Sequence, residues 1–232
     1  MTDLPLTIKE HPRARNVLVK LVPGRGLEVV VPKGFDRGRV PEVLARKQGW
    51  ILRTRARMER EGILLAPSLD LPESLEFLAL GVTRTVNLVH RAGKIVLREN
   101  AGNLLLAGDM DQREEAIAAL RKYVAAQARQ HLPPLLAATA QRLGLDYAGT
   151  RIRTQKTRWG SCSARGTISL NAKLLFLPPQ LVEQLFVHEL CHRRHLNHSP
   201  AFWNLVASFQ PDYARLEDEL KNGSRHVPAW IL

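Results

Sequence analysis

The 232-residue chain is short of several things, and each shortage excludes a class of protein. It has two cysteines, Cys162 and Cys191, so no disulfide framework can hold it together. No stretch approaches the ~18 consecutive apolar residues of a membrane span. The N-terminal MTDLPLTIKEHPRAR lacks the apolar core of a signal peptide. Together these point to a cytoplasmic protein with reduced thiols and no membrane partner. Aromatics are sparse at 6%, yet hydrophobic residues reach 45% and charged residues 24%, an ordinary globular balance. Acidic residues are scarce: 22 Asp+Glu face 34 Lys+Arg, a net charge of +12. Splitting the chain at residue 110 gives 18 basic and 12 acidic side chains before it and 16 and 10 after it. The excess is therefore spread through the folded parts rather than held in a tail. Such a field attracts polyanions, either nucleotides or nucleic acid, through the basic surface.

The length suits one large or two modest domains. VLVKLVPGRGLEVVV (17–31) reads as two strands around a Pro-Gly-Arg-Gly turn, ended by Pro32-Lys33-Gly34. From Asp36 to about Arg60 the pattern turns helical, with Val40, Val43, Leu44, Lys47, Trp50 and Ile51 at helical spacing. The other side is basic, a solvated face or one that contacts phosphates. Residues 75–107 return to short β runs broken at Gly81, Gly93 and Gly102, predicting a small antiparallel sheet or open barrel. A helix follows from 111 to about 131. Pro133 either opens a second helix or kinks the first, which ends before Gly144. The expected fold class is α+β: a small N-terminal antiparallel β domain with a helix (1–108), then a mainly helical domain with a short sheet (109–232).

The chemistry concentrates between residues 151 and 213. His188-Glu189-Leu190-Cys191-His192 is an H-E-x-x-H motif. With 8 His and 14 Glu in the chain, chance supplies roughly 0.02 such motifs. Histidines at i and i+4 lie on one helical face, where both imidazoles reach one metal ion, and Glu189 stands beside them as general base. Pro178-Pro179 is a plausible helix start. Leu181, Val182, Leu185, Phe186 and Leu190 make the helix apolar on more than one face, so two His and a Glu there need a reason. A catalytic zinc site keeps three protein ligands and one open position. His195 and His198 compete for third place. On a straight helix His195 lies ~10 Å along the axis from His188 and is out of reach. Asn197 can end the helix in a left-handed conformation, letting the chain turn back and present His198 before a new helix at Ser199-Pro200. The candidate metal set is His188, His192 and His198, with Glu217 or Glu219 as a variant ligand. Phe202, Leu205, Val206 and Phe209 read as core, and Trp203, one residue off that stripe, as a wall of the site.

TRWGSCS, ISLN, VHELCHRRHLNHSPAFW and QPDY, with V-P-K-G (31–34) before a helix carrying Trp50, resemble the YgjP-like metallopeptidase family. That family is a zincin group similar in its helical core to the SprT and WLM metallopeptidases. The resemblance implies a zincin-like domain at 109–232 that hydrolyses peptide or protein substrates, with a metal held by His188, His192 and His198 and with Glu189 as catalytic base. It implies Zn²⁺ or another divalent transition metal. It also implies that the strand Thr167-Ile168-Ser169-Leu170 is the edge that pairs with an extended substrate. Arg158, in the characteristic R-W-G-S-C segment, is the candidate substrate-binding residue, for a carboxylate, a phosphate or an oxyanion; a structural ion pair is the alternative. Cys162 and Cys191 read as buried reduced thiols, with a metal-ligand role as the alternative. The basic run Arg151, Arg153, Lys156, Arg158, Arg165 and Lys173 keeps a second reaction in view, a metal-dependent nucleoside triphosphate pyrophosphatase. A third possibility is a protease acting on nucleic-acid-associated proteins.

Overall fold

The computed structural model describes residues 4–60, 65, 70–155 and 158–232. The chain folds as two compact units: residues 1–70 with 228–232, and residues 71–227.

In the first unit, β1 (Leu6–His11), β2 (Leu18–Val22) and β3 (Gly26–Pro32) form a sheet in the order β1-β3-β2. The expected hairpin is present, with β2 antiparallel to β3 through the turn at 23–25. β1 then adds to the other edge of β3 in parallel, so the sheet is mixed. Gly26 begins β3 with φ +79°, and a Cβ there would come within 2.4 Å of the Pro5 carbonyl oxygen, so only glycine fits. β3 alternates core and partly exposed positions, and Leu27, Val29 and Val31 meet Val19, Val40 and Ile51 in one cluster. Asp36 accepts a hydrogen bond from the Gly38 N–H at 2.9 Å and caps a short 3-10 turn. That turn leads into α1 (Val40–Arg60), which buries only Val40, Ile51 and Met58. Trp50, expected at an apolar position, faces outward, and Lys47 is exposed with the basic residues.

In the second unit, β4 (Ser74–Phe77), β5 (Val82–His90), β6 (Val96–Asn100) and β7 (Asn103–Gly108) make a sheet ordered β4-β5-β7-β6. β5 and β7 are parallel and the other pairs antiparallel, again mixed rather than antiparallel throughout. α2 (Arg113–Leu143) runs on as one helix of 31 residues through Pro133 and Pro134. A proline inside a helix costs ~3 kcal/mol; Leu132 and Leu136, both fully buried on either side, offset that cost by packing. Gly144 ends the helix in the left-handed conformation, its N–H on the carbonyls of Ala140 and Gln141. β8 (Gly149–Arg153), β9 (Gly160–Cys162) and β10 (Thr167–Asn171) form the third sheet, ordered β8-β10-β9. α3 (Pro179–Cys191), α4 (Pro200–Phe209) and α5 (Tyr213–Lys221) complete the unit.

The α+β class expected from the sequence is the class observed. The compact units, however, divide at 70/71, and the expected boundary near 108 falls inside the second unit. The reason is aromatic packing: Phe77 of β4 stacks on Tyr123 of α2 at 6.4 Å and meets Phe176 at 5.5 Å. The β4–β7 sheet and the helices thus share one core. Among the described residues no helix is long and apolar enough to cross a membrane.

Candidate metal centre

α3 begins at Pro179, as expected, and is buried almost all round: Leu181, Val182, Leu185, Phe186, Val187 and Leu190 pack inward. Polar side chains break that pattern, Gln184 among them, fully buried. Glu189 is buried, while His188 and His192 are half-buried. The helix ends at Cys191, with His192 as its C-cap at φ −62°. This is six residues before the expected stop at Asn197, which is not among the described residues of positive φ. The turn at 192–194 and the bend at 196–197 carry the chain back. Ser199 then caps α4 by accepting from the Phe202 N–H at 3.4 Å, with Pro200 at the first helical position. His198 is thereby returned to the two histidines of α3.

One ring nitrogen from each of His188, His192 and His198 lies within 4.8 Å of the others. Nε2 of His188 and Nε2 of His198 are 3.0 Å apart. Tetrahedral zinc ligands at 2.0–2.1 Å would be separated by roughly 3.3 Å. Two of the outward nitrogens are already committed. Nδ1 of His188 lies 2.8 Å from Oε1 of Glu217, and the same oxygen accepts from Nε2 of Gln184 at 2.9 Å. Nδ1 of His192 donates to the His195 carbonyl at 3.0 Å. These bonds fix the tautomers and leave Nε2 lone pairs facing inward, the arrangement that metal-binding histidines require. Burial, reinforced by the charge of His188, lowers the pKa of both His192 and His198, against the His195 carbonyl bond at His192. At Glu217 burial works upward, but the hydrogen bond and charge of His188 and the Gln184 bond outweigh it and hold the carboxyl below its usual range. The donor set therefore fits a divalent transition ion.

Aromatic rings hold the third histidine. His198 is exposed, stacks on Trp203 at 5.5 Å, and Trp203 stacks in turn on Tyr213 at 5.4 Å. Phe202, fully buried, lies 4.6 Å from the His192 ring and meets His188 edge-on at 5.1 Å. Trp203 is thus the wall expected for it.

Glu189 is only 4% exposed. Burial pushes its pKa up to about 7, with Glu217 adding to the rise, against the charge of His188, the Cys162 backbone and the charge of Arg158. Its Oε2 has no hydrogen-bond partner among the described residues, an orphaned buried oxygen at the edge of the histidine cluster. Gly160 lies directly against it: a Cβ at that position would come 2.8 Å from Oε1.

That close approach explains the R-W-G-S-C segment. Trp159 anchors it by donating from Nε1 to the Leu220 carbonyl at 2.9 Å. Asn171 holds it from the other side, with Nδ2 donating to the carbonyls of Gln155 and Arg158 at 2.8 Å. Gly160 can then slide β9 against α3. The resemblance places the substrate-pairing edge at Thr167–Leu170, but that strand, β10, is central, covered by β8 on one side and β9 on the other. The open edge beside Glu189 belongs to β9.

The remaining expected residues fall outside the cluster. Arg158 is exposed, and its charge reaches Glu189 without joining the histidines. The His195 ring is likewise outside; its backbone carbonyl is the contribution. Glu217 stands behind His188 rather than among the inward nitrogens, and Glu219 is paired with Arg215. Cys162 is half-buried, its thiol pKa raised by burial and by Glu189, and Cys191 is buried, pushed up to about 12. Neither joins the ring nitrogens. Of the basic run, Arg151, Arg153 and Arg165 are exposed, Lys173 is buried, and Lys156 lies outside the described residues. Glu217 and Gln184 as orienting partners, the His195 carbonyl, the Tyr213 stack and the approach of Gly160 are features that motif spacing does not reveal.

The chain matches the family described as "YgjP-like, metallopeptidase domain" over residues 15–223. No curated protein matches it. Two solved structures are similar over part of its length. The metallopeptidase zymogen of Pyrococcus abyssi abylysin is 28% identical over 39% of this chain and 92% of its own, with a TM-score of 0.36. The metallopeptidase zymogen of Methanocaldococcus jannaschii jannalysin is 18% identical over 39% of this chain and 94% of its own, with a TM-score of 0.35. With nine-tenths of its length matched, the chain belongs to the YgjP-like metallopeptidase family.

Proposed function

We propose that the protein is a zinc-dependent peptidase acting through the HExxH helix α3 and the returning His198. The observation that carries this is the convergence of one ring nitrogen from each of three histidines within 4.8 Å, with the outer nitrogens of His188 and His192 held by Glu217 and the His195 carbonyl. His188, His192 and His198 would hold the ion, leaving a fourth position open. A zinc ion there supplies Lewis-acid chemistry, polarising the scissile carbonyl and acidifying water. Glu189 takes the proton of the attacking water on its free Oε2 and passes it to the leaving amine. Burial raises the pKa of this carboxyl to about 7, and the charge of a bound ion would draw it back toward the proton-accepting form. The open edge of β9 aligns an extended peptide by main-chain hydrogen bonds next to Glu189. Exposed Arg158, at the start of that edge, is assigned to a substrate carboxylate or to the oxyanion. Two free thiols suit a reducing compartment, and the cytoplasm is the proposed location.

The test joins metal analysis of freshly purified protein with parallel assays on casein and on nucleoside triphosphates, each with Glu189→Gln. Close to one zinc per chain, and casein cleavage abolished in Glu189→Gln, is the expected result. Protein without a stoichiometric transition ion sinks the reading. Triphosphate hydrolysis that needs Glu189, with casein untouched, replaces it with a nucleotide pyrophosphatase.

A further inference from the structure

α1 carries a surface that the peptidase reading does not use. Its buried side is narrow, just Val40, Ile51 and Met58. On the opposite side Arg46, Trp50, Arg53, Arg57 and Arg60 follow one another at intervals of four, three, four and three residues, so they share one helical face. All five are exposed. The row is ~21 Å long at ~1.5 Å per residue. Residues 37–60 hold eight basic side chains and two carboxylates. One of those, Glu59, is tied to Arg55 on the flank at 2.6 Å. Among the described residues no carboxylate pairs with Arg46, Arg53, Arg57 or Arg60. Like charges at these spacings repel and weaken the helix by a few tenths of a kcal/mol per pair. Arg57 and Arg60 stand in the last turn, where they complement the helix dipole, and Arg60 Nε donates to the Ala56 carbonyl at 3.3 Å; Arg46 and Arg53, further up the helix, have no such role. Trp50 stands second in the row, between Arg46 and Arg53, 38% exposed, and Gly49 leaves space beside it into which the Arg53 guanidinium extends, 3.4 Å from where a Cβ would lie.

The chemistry of an occupant follows. Repeating positive charge calls for repeating negative charge. A lipid surface would need an apolar face to insert, and the apolar face of α1 is already spent on Val19, Val29 and Val31 of the sheet. A partly exposed aromatic among guanidiniums suits a chain of phosphates with unpaired bases, where arginines hold the backbone and the ring stacks on a base. We propose that this face of α1 binds single-stranded nucleic acid, with the arginines on successive phosphates and Trp50 against a base.

The experiment is fluorescence anisotropy of the full chain with a labelled mixed-sequence single strand of about 20 nucleotides, the matching duplex, and sedimentation with phosphatidylserine vesicles. The variants are Arg53→Ala/Arg57→Ala, Trp50→Ala, and Lys122→Ala/Arg129→Ala, which removes two exposed charges from α2. Arg53→Ala/Arg57→Ala should weaken single-strand binding at least tenfold. It should also reduce the slope of log K against log salt by about 1.4, at ~0.7 for each phosphate no longer neutralised. Trp50→Ala should weaken the single strand severalfold and the duplex little. Circular dichroism unchanged in each variant assigns these losses to the surface. An equal loss in Lys122→Ala/Arg129→Ala overturns the proposal in favour of net charge alone. Tighter binding of vesicles than of the single strand, or of the duplex with no effect of Trp50→Ala, also overturns it.

Discussion

Two helices of this molecule break the amphipathic rule in opposite directions. α3 places polar side chains where burial demands apolar ones: Glu189 is nearly sealed, yet Oε2 has no partner among the described residues. α1 places charge and an exposed indole where the fold asks for nothing in particular. Around α3 the surroundings compensate with a second layer, Glu217, Gln184 and the His195 carbonyl behind the imidazoles and a ring stack behind His198. Around the outer face of α1 the described residues supply no carboxylate to the row, and Arg60 turns to the Ala56 carbonyl of its own helix. A polar group that the interior holds in place at a cost marks a site that acts on its own, whereas an uncompensated row of charge marks a surface completed by something else.

The sharpest way to break this reading of α3 is to remove its proton carrier. Glu189→Gln keeps the shape and the buried oxygen but cannot accept a proton, so turnover should fall by about 10²–10⁴ while bound metal persists. His192→Ala should lose metal and activity together. Steady-state kinetics alongside elemental analysis separates the two outcomes, and a Gln variant with undiminished turnover would remove Glu189 from the mechanism. The next effect belongs to the layer behind the histidines. Glu217→Ala leaves His188 unoriented and should weaken metal binding by about 10–100-fold, measured by competition with a chelator. Glu219→Gln, on the same helix but paired with Arg215, should leave the affinity within about twofold.

Gly160 tests whether the β9 strand must touch the base. Gly160→Ala drives a Cβ against Oε1 of Glu189 and should cost roughly 1–3 kcal/mol of stability, read from the urea midpoint. Catalysis should fall while metal is retained. A variant of unchanged stability and turnover would show that β9 has room to withdraw.

These features differ in how legible they are in the sequence. The HExxH residues, the helix starts at Pro179 and Ser199-Pro200 and the stop at Gly144 can all be read there, because each rests on local chemistry within four residues. The early end of α3 cannot, since what turns His192–Arg194 is the bond from His192 to the His195 carbonyl and the packing of Phe202 on the rings. The uninterrupted course of α2 defeats local reasoning for the same cause: buried Leu132 and Leu136 outweigh two prolines. Glu217 is 29 residues from His188 and no spacing rule links them. The place of β10 inside its sheet depends on β8 pairing from the far side, a parallel pairing without a turn signature.

The ring stack offers a finer probe. Trp203 supports an exposed histidine by ring stacking alone, a term of ~0.5–1.5 kcal/mol. Trp203→Ala should therefore weaken metal binding about 2–10-fold, and Trp203→Phe should restore most of it. Chelator competition measures both, and equal affinity in the alanine variant would mean that His198 needs no support.

The smallest effect lies in the unit that carries α1. Glu28 of β3 is hydrogen-bonded by Lys9 of β1, and that bond lowers its pKa, with burial opposing and the charges of Lys9, Arg25 and Lys20 assisting. A carboxyl whose pKa is lower in the folded state stabilises that state at pH values above its unfolded value, 4.5. As pH falls through the folded value, the folded chain takes up the proton and the contribution is lost. Lys9→Met removes the partner, so the variant should be slightly less stable than the parent above pH ~5. The difference should shrink as the pH approaches ~3. Urea midpoints across that range measure it. The contrast with α3 is in scale: Lys9 is half exposed, so water screens the pair, and a gap as large as that of Gly160→Ala would mean that the β1–β3 pairing depends on this one bond.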